Sequence, residues 1–333
     1  MTSSPDLDSL RAGLRRRGQL LTLGESDRAL HRAVERGELV RLSQGWYIDR
    51  EHWHGLKPEQ QHLARAMCAH EAARTPPVFS HYTAAVILGL PLLEFDTTRV
   101  HALLPARSTR PSSGGVVRHH HDLPPDEVQR TSGLQHTDLR RTLIDIARYA
   151  PFASGMVAGD AAMRRLLRGS ILTLEQQRAL LLEHLASLPA ARGARRARNV
   201  LNVLDGGAES PLESLFRLQL LRLGFEVRTQ VPVRLPNGRR YRMDLELVGL
   251  RVFFEADGRA KYLDEGMRGG RSVGEVLIDE RDRENLVSGT TGYRVLRGRW
   301  EHAQSPGVLA TRLRGFGITP PIDLDRRSRL HLY

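Results

Sequence analysis

Asp244, Glu255, Asp257 and Lys261 lie within one eighteen-residue stretch of RMDLELVGLRVFFEADGRAKY. Two or three carboxylates at this density can hold a Mg2+ ion, which polarises a phosphate and helps generate an attacking hydroxide. Asp244 and Glu255, with waters, are the expected metal ligands, and Glu213 can reach in from a preceding helix. The lysine is informative because this chain has almost replaced lysine by arginine. Of 50 Lys+Arg, only Lys57 and Lys261 are lysines. An arginine is always charged and forked, whereas a lysine amine is compact, can be tuned by burial, and is suited to orienting a water. The chemistry expected of Asp244, Glu255, Asp257 and Lys261 is metal-dependent phosphodiester hydrolysis.

The elements around these residues are legible from pattern. Ser210-Pro211 has the N-cap and first-turn proline of a helix start, with Glu209 and Glu213 flanking it, and Leu212, Leu215, Phe216 and Leu220 form its apolar stripe. Strands are expected at 225–231 and 240–248. The period of two puts Met243, Leu245 and Leu247 on one face and Asp244 on the other. Val252-Phe253-Phe254 is apolar on both faces, as in a central strand, and Glu255 and Asp257 share a face at its end. Carboxylates there need a cation, because unpaired buried charge is strongly unfavourable. A glycine-rich loop at 264–274 and a helix with Asp279, Arg281 and Arg283 follow. Those arginines either contact phosphate or pair with Glu280 and Glu284 on their own helix.

The chain has 333 residues, 40% hydrophobic and 26% charged, a length that suggests two or three domains. No segment offers the ~18 apolar residues of a membrane span. The first residues lack the apolar run of a secretory signal, and the lone Cys68 reads as a small buried helix residue, so a cytoplasmic home without disulfides is expected. The net charge of +12 favours polyanions, and nucleic acid is the expected partner.

Residues 6–50 read as helix, helix and wing. Leu7, Leu10 and Leu14 share a helical face, with Gly18 as the stop after Arg15, Arg16 and Arg17. A second helix starts at the cap Ser26 and ends at Gly37, and short strands at 39–42 and 46–48 flank a turn. Arg28 and Arg32 lie away from that helix's apolar face, available to phosphates or bases. In the middle region, helices are expected at 58–74, 139–149, 153–167, 174–188 and 190–204, and strands at 100–104 and 116–119. His119, His120 and His121 are adjacent and alternate faces on a strand, so they are not expected to form a metal site.

The order GELVRLSQGWYI, FSHYTAAVILGL, LQHTDLRRTLIDIARY resembles the AbiEi-type antitoxins of bacterial type IV toxin–antitoxin systems over most of residues 15–165. The resemblance implies a promoter-binding repressor with a cognate toxin as partner, and DNA contact through Arg28, Arg32, Arg36 and Arg41.

The order of helix with glutamate, strand, strand with aspartate, strand with Glu-x-Asp-Gly, helix and strand over about 209–301 resembles the PD-(D/E)XK nuclease fold, and within it domains related to very-short-patch repair endonucleases. The chain departs from that pattern at Asp257, where lysine most often stands, its lysine coming only at Lys261.

The expected architecture is a multi-domain α/β (α+β) protein. It comprises a winged helix-turn-helix at 1–55, a mixed middle domain at 56–205, a restriction-endonuclease-like mixed sheet flanked by helices at 206–318 and a basic tail at 319–333. The expected function is DNA binding with Mg2+-dependent endonuclease chemistry. The alternatives are a non-catalytic repressor or antitoxin that keeps the nuclease fold, and RNA processing by the same site.

Overall fold

The computed structural model describes residues 7–189, 192–236, 238–257 and 273–322, with the backbone alone over 273–280. Lys261, most of the 264–274 loop and the tail from 323 lie outside the described residues. The chain is α/β and divides into two compact units, residues up to 158 with 188–197, and 159–187 with residues from 198 onward.

The first unit begins with α1 (Leu7–Ala12), β1 (Arg15–Arg16), α2 (Arg17–Thr22), α3 (Asp27–Glu35), β2 (Leu39–Ser43) and β3 (Trp46–Asp49). The strands form a sheet in the order β1-β3-β2, the arrangement of a winged helix. The Ser26 hydroxyl caps α3 by accepting from the Ala29 amide at 3.2 Å, and Gly37 (φ 71°) turns the chain out of it.

One expectation is corrected here. The first helix does not run through the three arginines to Gly18. It closes at Gly13, where a Cβ would collide with the His52 ring, and Arg15 and Arg16 then pair with Tyr47 and Trp46 as an edge strand. Gly18 lies inside α2, which Arg17 begins.

There follow α4 (Arg50–Gly55), α5 (Pro58–Glu71), β4 (Val78–Phe79), α6 (His81–Ile87), β5 (Val100–Leu104), β6 (Val116–His120), β7 (Val128–Thr131), β8 (Leu134–Thr137) and α7 (Leu139–Tyr149). The sheet order is β6-β5-β4-β8-β7, with β5–β6 and β4–β8 parallel and the other pairs antiparallel. The β7–β8 hairpin was not foreseen. Its loop is Ser132-Gly133, both with positive φ (46° and 86°), the type I′ geometry that matches strand twist. Leu7, Leu10, Ile48 and Trp53 share one buried core with Leu63, Met67, Phe79, Val100 and Leu134, so residues on both sides of position 55 pack together. Cys68 is buried on α5, and burial pushes its thiol up to about 12.

Helix α8 (Phe152–Leu167) is followed by α9 (Leu174–Ser187), α10 (Ala194–Val203), α11 (Pro211–Arg222), β9 (Val227–Arg234), β10 (Arg240–Leu247), β11 (Val252–Ala256), α12 (Val273–Thr291), β12 (Arg294–Gly298) and α13 (Pro306–Gly315). The second unit's sheet has the order β12-β11-β10-β9, antiparallel except for β11–β12. A parallel neighbour requires a crossover, and α12 lies in the connection. Met243, Leu245 and Leu247 are all buried, as their alternation predicts. Phe216 of α11 packs on Phe254 with ring centroids 4.7 Å apart, and Gly298 fits because a Cβ there would overlap both rings. Asp160 and Arg217 form a buried ion pair at 2.6 Å, which Arg217 extends to the Val203 carbonyl and Asp160 to the Asp205 amide. Among the described residues no helix is long and apolar enough to cross a membrane.

Candidate functional site

The strand registers of the second unit build a row of polar side chains. Leu245 pairs with Phe254 and Glu246 with Phe253, which places Asp244 opposite Glu255; Met243 pairs with Val231 and Leu245 with Thr229, which places Gln230 opposite Asp244. Glu255 in turn pairs with Arg297 of β12. Gln230 adopts the left-handed region (φ 51°), an uncommon conformation for a side chain of its size and a local strain of the kind found at functional positions.

Helix α11 aims Glu213 at this row. Ser210 caps the helix by accepting from the Glu213 amide at 3.2 Å, fixing Glu213 in the first turn. The carboxylate is buried, accepting from the Glu209 amide at 2.8 Å and from Gln230 Nε2 at 3.1 Å. Burial first, and the Asp244 charge second, raise its pKa above the ordinary carboxylate value. Asp244 accepts from the Ala256 amide at 2.9 Å, which ties its carboxylate to the end of β11.

Glu255 and Asp257 meet arginines. One terminal nitrogen of Arg283 donates to both oxygens of Glu255, and Arg283 also stands over the Tyr241 ring at 5.5 Å. Asp257 lies 3.3 Å from Arg299 Nε, and Glu284 pairs with Arg297 at 3.3 Å. Arg283 therefore pairs across to the sheet, where sequence reasoning gave it the choice of phosphate or helix neighbours. Among the described residues, the carboxylates of Glu213, Asp244 and Glu255 do not converge as a set of three within 4.8 Å. Glu213 and Asp244 are coupled through their like charges. Their all-oxygen donors and the raised Glu213 pKa suit a hard divalent cation, and Mg2+ commonly uses only one or two carboxylates with waters and substrate phosphate.

In the first unit, Arg28 and Arg32 are exposed on α3, as their helical positions imply, and Arg41 is exposed on β2. Arg36 is engaged by Glu38 at 2.7 and 2.9 Å.

A second constellation escaped the sequence. His119 is set among His81 of α6 and His101 of β5, with one ring nitrogen of each within 4.8 Å of the others. His101 Nδ1 and His119 Nε2 are 3.0 Å apart, and the His81 ring lies on the His119 ring at 3.6 Å. Burial, reinforced by neighbouring positive charge, drives His81 well below its ordinary value, His101 to about 3 and His119 to about 4. Alternation along β6 correctly separates His119 from His120, but it says nothing of partners arriving from other elements. The signal available was the pairing of β5 with β6, which sets Leu103 opposite His119 and brings His101 alongside.

No family model matches the chain. Two Mycobacterium tuberculosis proteins, both termed uncharacterized, are similar to it: MT2308 of strain CDC 1551 / Oshkosh and Rv2248 of strain ATCC 25618 / H37Rv. Each is 26% identical over 267 residues, covering 75% of this chain and 90% of the relative. Among solved structures, the RV2827C protein from the same species aligns with 63% of this chain and 78% of its own, at 19% identity and a TM-score of 0.37.

Proposed function

We propose that this protein binds DNA and that its second unit is a Mg2+-dependent phosphodiesterase of the PD-(D/E)XK kind. The observation that carries the reading is Glu213, buried and raised in pKa beside Asp244, on a helix that precedes a three-stranded antiparallel meander, a crossover helix and a parallel strand. Like-charged carboxylates that feel one another's field destabilise each other, and a divalent cation relieves both. Glu213 and Asp244 would hold Mg2+, with Glu255 joining when it leaves Arg283. Bound there, the ion would polarise a phosphate and lower the pKa of a water. Gln230 keeps Glu213 oriented through its amide, and Arg283 and Arg299 supply positive charge at the rim for a polyanion. Exposed Arg28 and Arg32 on α3 support DNA contact by the winged helix.

The test is nicking of supercoiled plasmid in Mg2+ or Mn2+, with Asp244→Ala and EDTA as controls. Metal-dependent cutting lost in the variant supports the reading; cutting that survives Asp244→Ala removes the site.

A second reading rests on the Arg283–Glu255 pair, in which a guanidinium already neutralises a carboxylate the metal would need, and on Asp257 standing where the nuclease pattern carries lysine. It makes the protein a non-catalytic repressor or antitoxin of the AbiEi type, with a cognate toxin as partner. Sequence-selective promoter binding without cleavage, and a nucleotidyltransferase toxin encoded beside this chain, are the outcomes it expects.

A further inference from the structure

We propose that His81, His101 and His119 bind one divalent transition-metal ion of the zinc class, a site separate in residues and donor chemistry from the carboxylates of the second unit. Three imidazoles from three elements present ring nitrogens within 4.8 Å of one another. In a tetrahedral zinc site with Zn–N near 2.0–2.1 Å, neighbouring nitrogens stand about 3.3 Å apart. His101 Nδ1 and His119 Nε2, 3.0 Å apart, need to open only slightly to admit the ion between them. The His81 ring stacks on that of His119, centroids 3.6 Å apart with an interplanar angle of 9°, so its in-plane lone pair must turn out of the stack, by rotation about its soft terminal torsion, to reach the same ion.

The surroundings are those of a metal-binding histidine rather than of a filler. His81 has φ 50°, a conformation few non-glycine residues adopt, which sets its ring toward β5 and β6 at the start of α6. Its Nδ1 lies 3.0 Å from Ser80 Oγ and 3.9 Å from Asp145 Oδ2, and that buried oxygen has no hydrogen-bond partner among the described residues. With Nε2 of His81 on the metal, Nδ1–H would donate to Ser80 and face the Asp145 carboxylate, the outer arrangement that fixes tautomer and raises ligand basicity. Tyr149 stands edge-on to all three rings at 5.2 to 5.8 Å and covers the cluster. Burial of this kind makes the ion a structural clamp joining α6 to the β5–β6 pair. Imidazole donors select zinc, copper or nickel over magnesium.

The experiment strips the full-length protein with chelator, then titrates Zn2+ against a chromophoric competitor and follows Co2+ binding by its visible d–d bands. The expected result is one equivalent bound, the band pattern of tetrahedral Co2+ and a higher melting temperature with Zn2+. The His101→Gln/His119→Gln variant should lose the equivalent, and Asp244→Ala should keep it. Failure of the wild type to bind a stoichiometric ion, or unchanged binding by the double variant, overturns the proposal. Should the double variant not fold, imidazole 15N shifts of the wild type decide: Zn2+ must move His81, His101 and His119, and a titration that leaves them in place is equally fatal.

Discussion

One terminal nitrogen of Arg283 sits 2.7 and 2.6 Å from the two carboxylate oxygens of Glu255, clamping a β11 residue from the crossover helix. A metal ion bound by Glu255, as proposed, would compete with this guanidinium for the same oxygens. Arg283→Met should therefore raise Mn2+ affinity about tenfold, roughly 1.4 kcal/mol, in calorimetric titration of the full chain. An unchanged affinity would mean that Glu255 takes no part in metal binding.

Glu213 carries the complementary expectation. Its folded pKa is raised, by burial and then by Asp244, so the folded state holds that proton to higher pH than the unfolded chain does. Its contribution to stability is present below the unfolded value and is lost as pH rises through the folded one. Glu213→Gln should raise the melting temperature at pH 7 in EDTA, lose that advantage near pH 4, and weaken Mg2+ binding. A lower melting temperature at pH 7 would show that the hydrogen bonds from Glu209 and Gln230 outweigh the charge cost.

On the winged helix, Arg28 and Arg32 are exposed whereas Arg36 is held by Glu38. If the first two each neutralise a phosphate, the Arg28→Ala/Arg32→Ala variant should lower the slope of log K against log salt by about 2, at ~0.9 per phosphate. Arg36→Ala should change it far less. Binding isotherms at several salt concentrations separate the two, and equal effects would relocate the DNA-contacting face.

Legibility followed the range of each interaction. The caps at Ser26 and Ser210, the Met243-Leu245-Leu247 alternation and the continuous apolar run of β11 are local, so each could be read from a window of a few residues. The end of α1 at Gly13, where the His52 ring occupies the space a side chain would need, is not announced by anything near Gly13 in the chain. Ser132-Gly133 is a weak turn pair, and the hairpin it closes is completed by the pairing of β8 with β4, which lies far away in the chain. Asp244, Glu255 and Glu213 were recognisable by residue type, yet their pairing with Arg283, Gln230 and each other depends on register and on the crossover. His119 looked like one of three strand-end histidines, and its partners arrive from α6 and β5.

His62 offers a further pH test. Buried between the Thr97 carbonyl at 3.1 Å and Thr83 Oγ1 at 2.8 Å, it falls from an ordinary 6.5 to about 4, burial being the main cause. Between those values the unfolded chain binds the proton and the folded one does not, so stability is intact above about 6.5 and is lost as pH falls. Wild type should lose about 2 kcal/mol more than His62→Gln between pH 7 and pH 5, measured by urea unfolding. Parallel losses would place the acid sensitivity elsewhere.

The core shared by Leu7, Leu10, Ile48 and Trp53 with Leu63, Met67, Phe79 and Leu134 bears on how this architecture can be recombined. An N-terminal module joined by a flexible tether can be swapped like a cassette, but the helices and wing of this one are soldered to the β-sheet behind them. A chimera cut at residue 55 would leave two raw apolar faces in place of one sealed interior. Changes to the surface of α3 and the wing are consequently best made in place, with the seam beneath them left as it is.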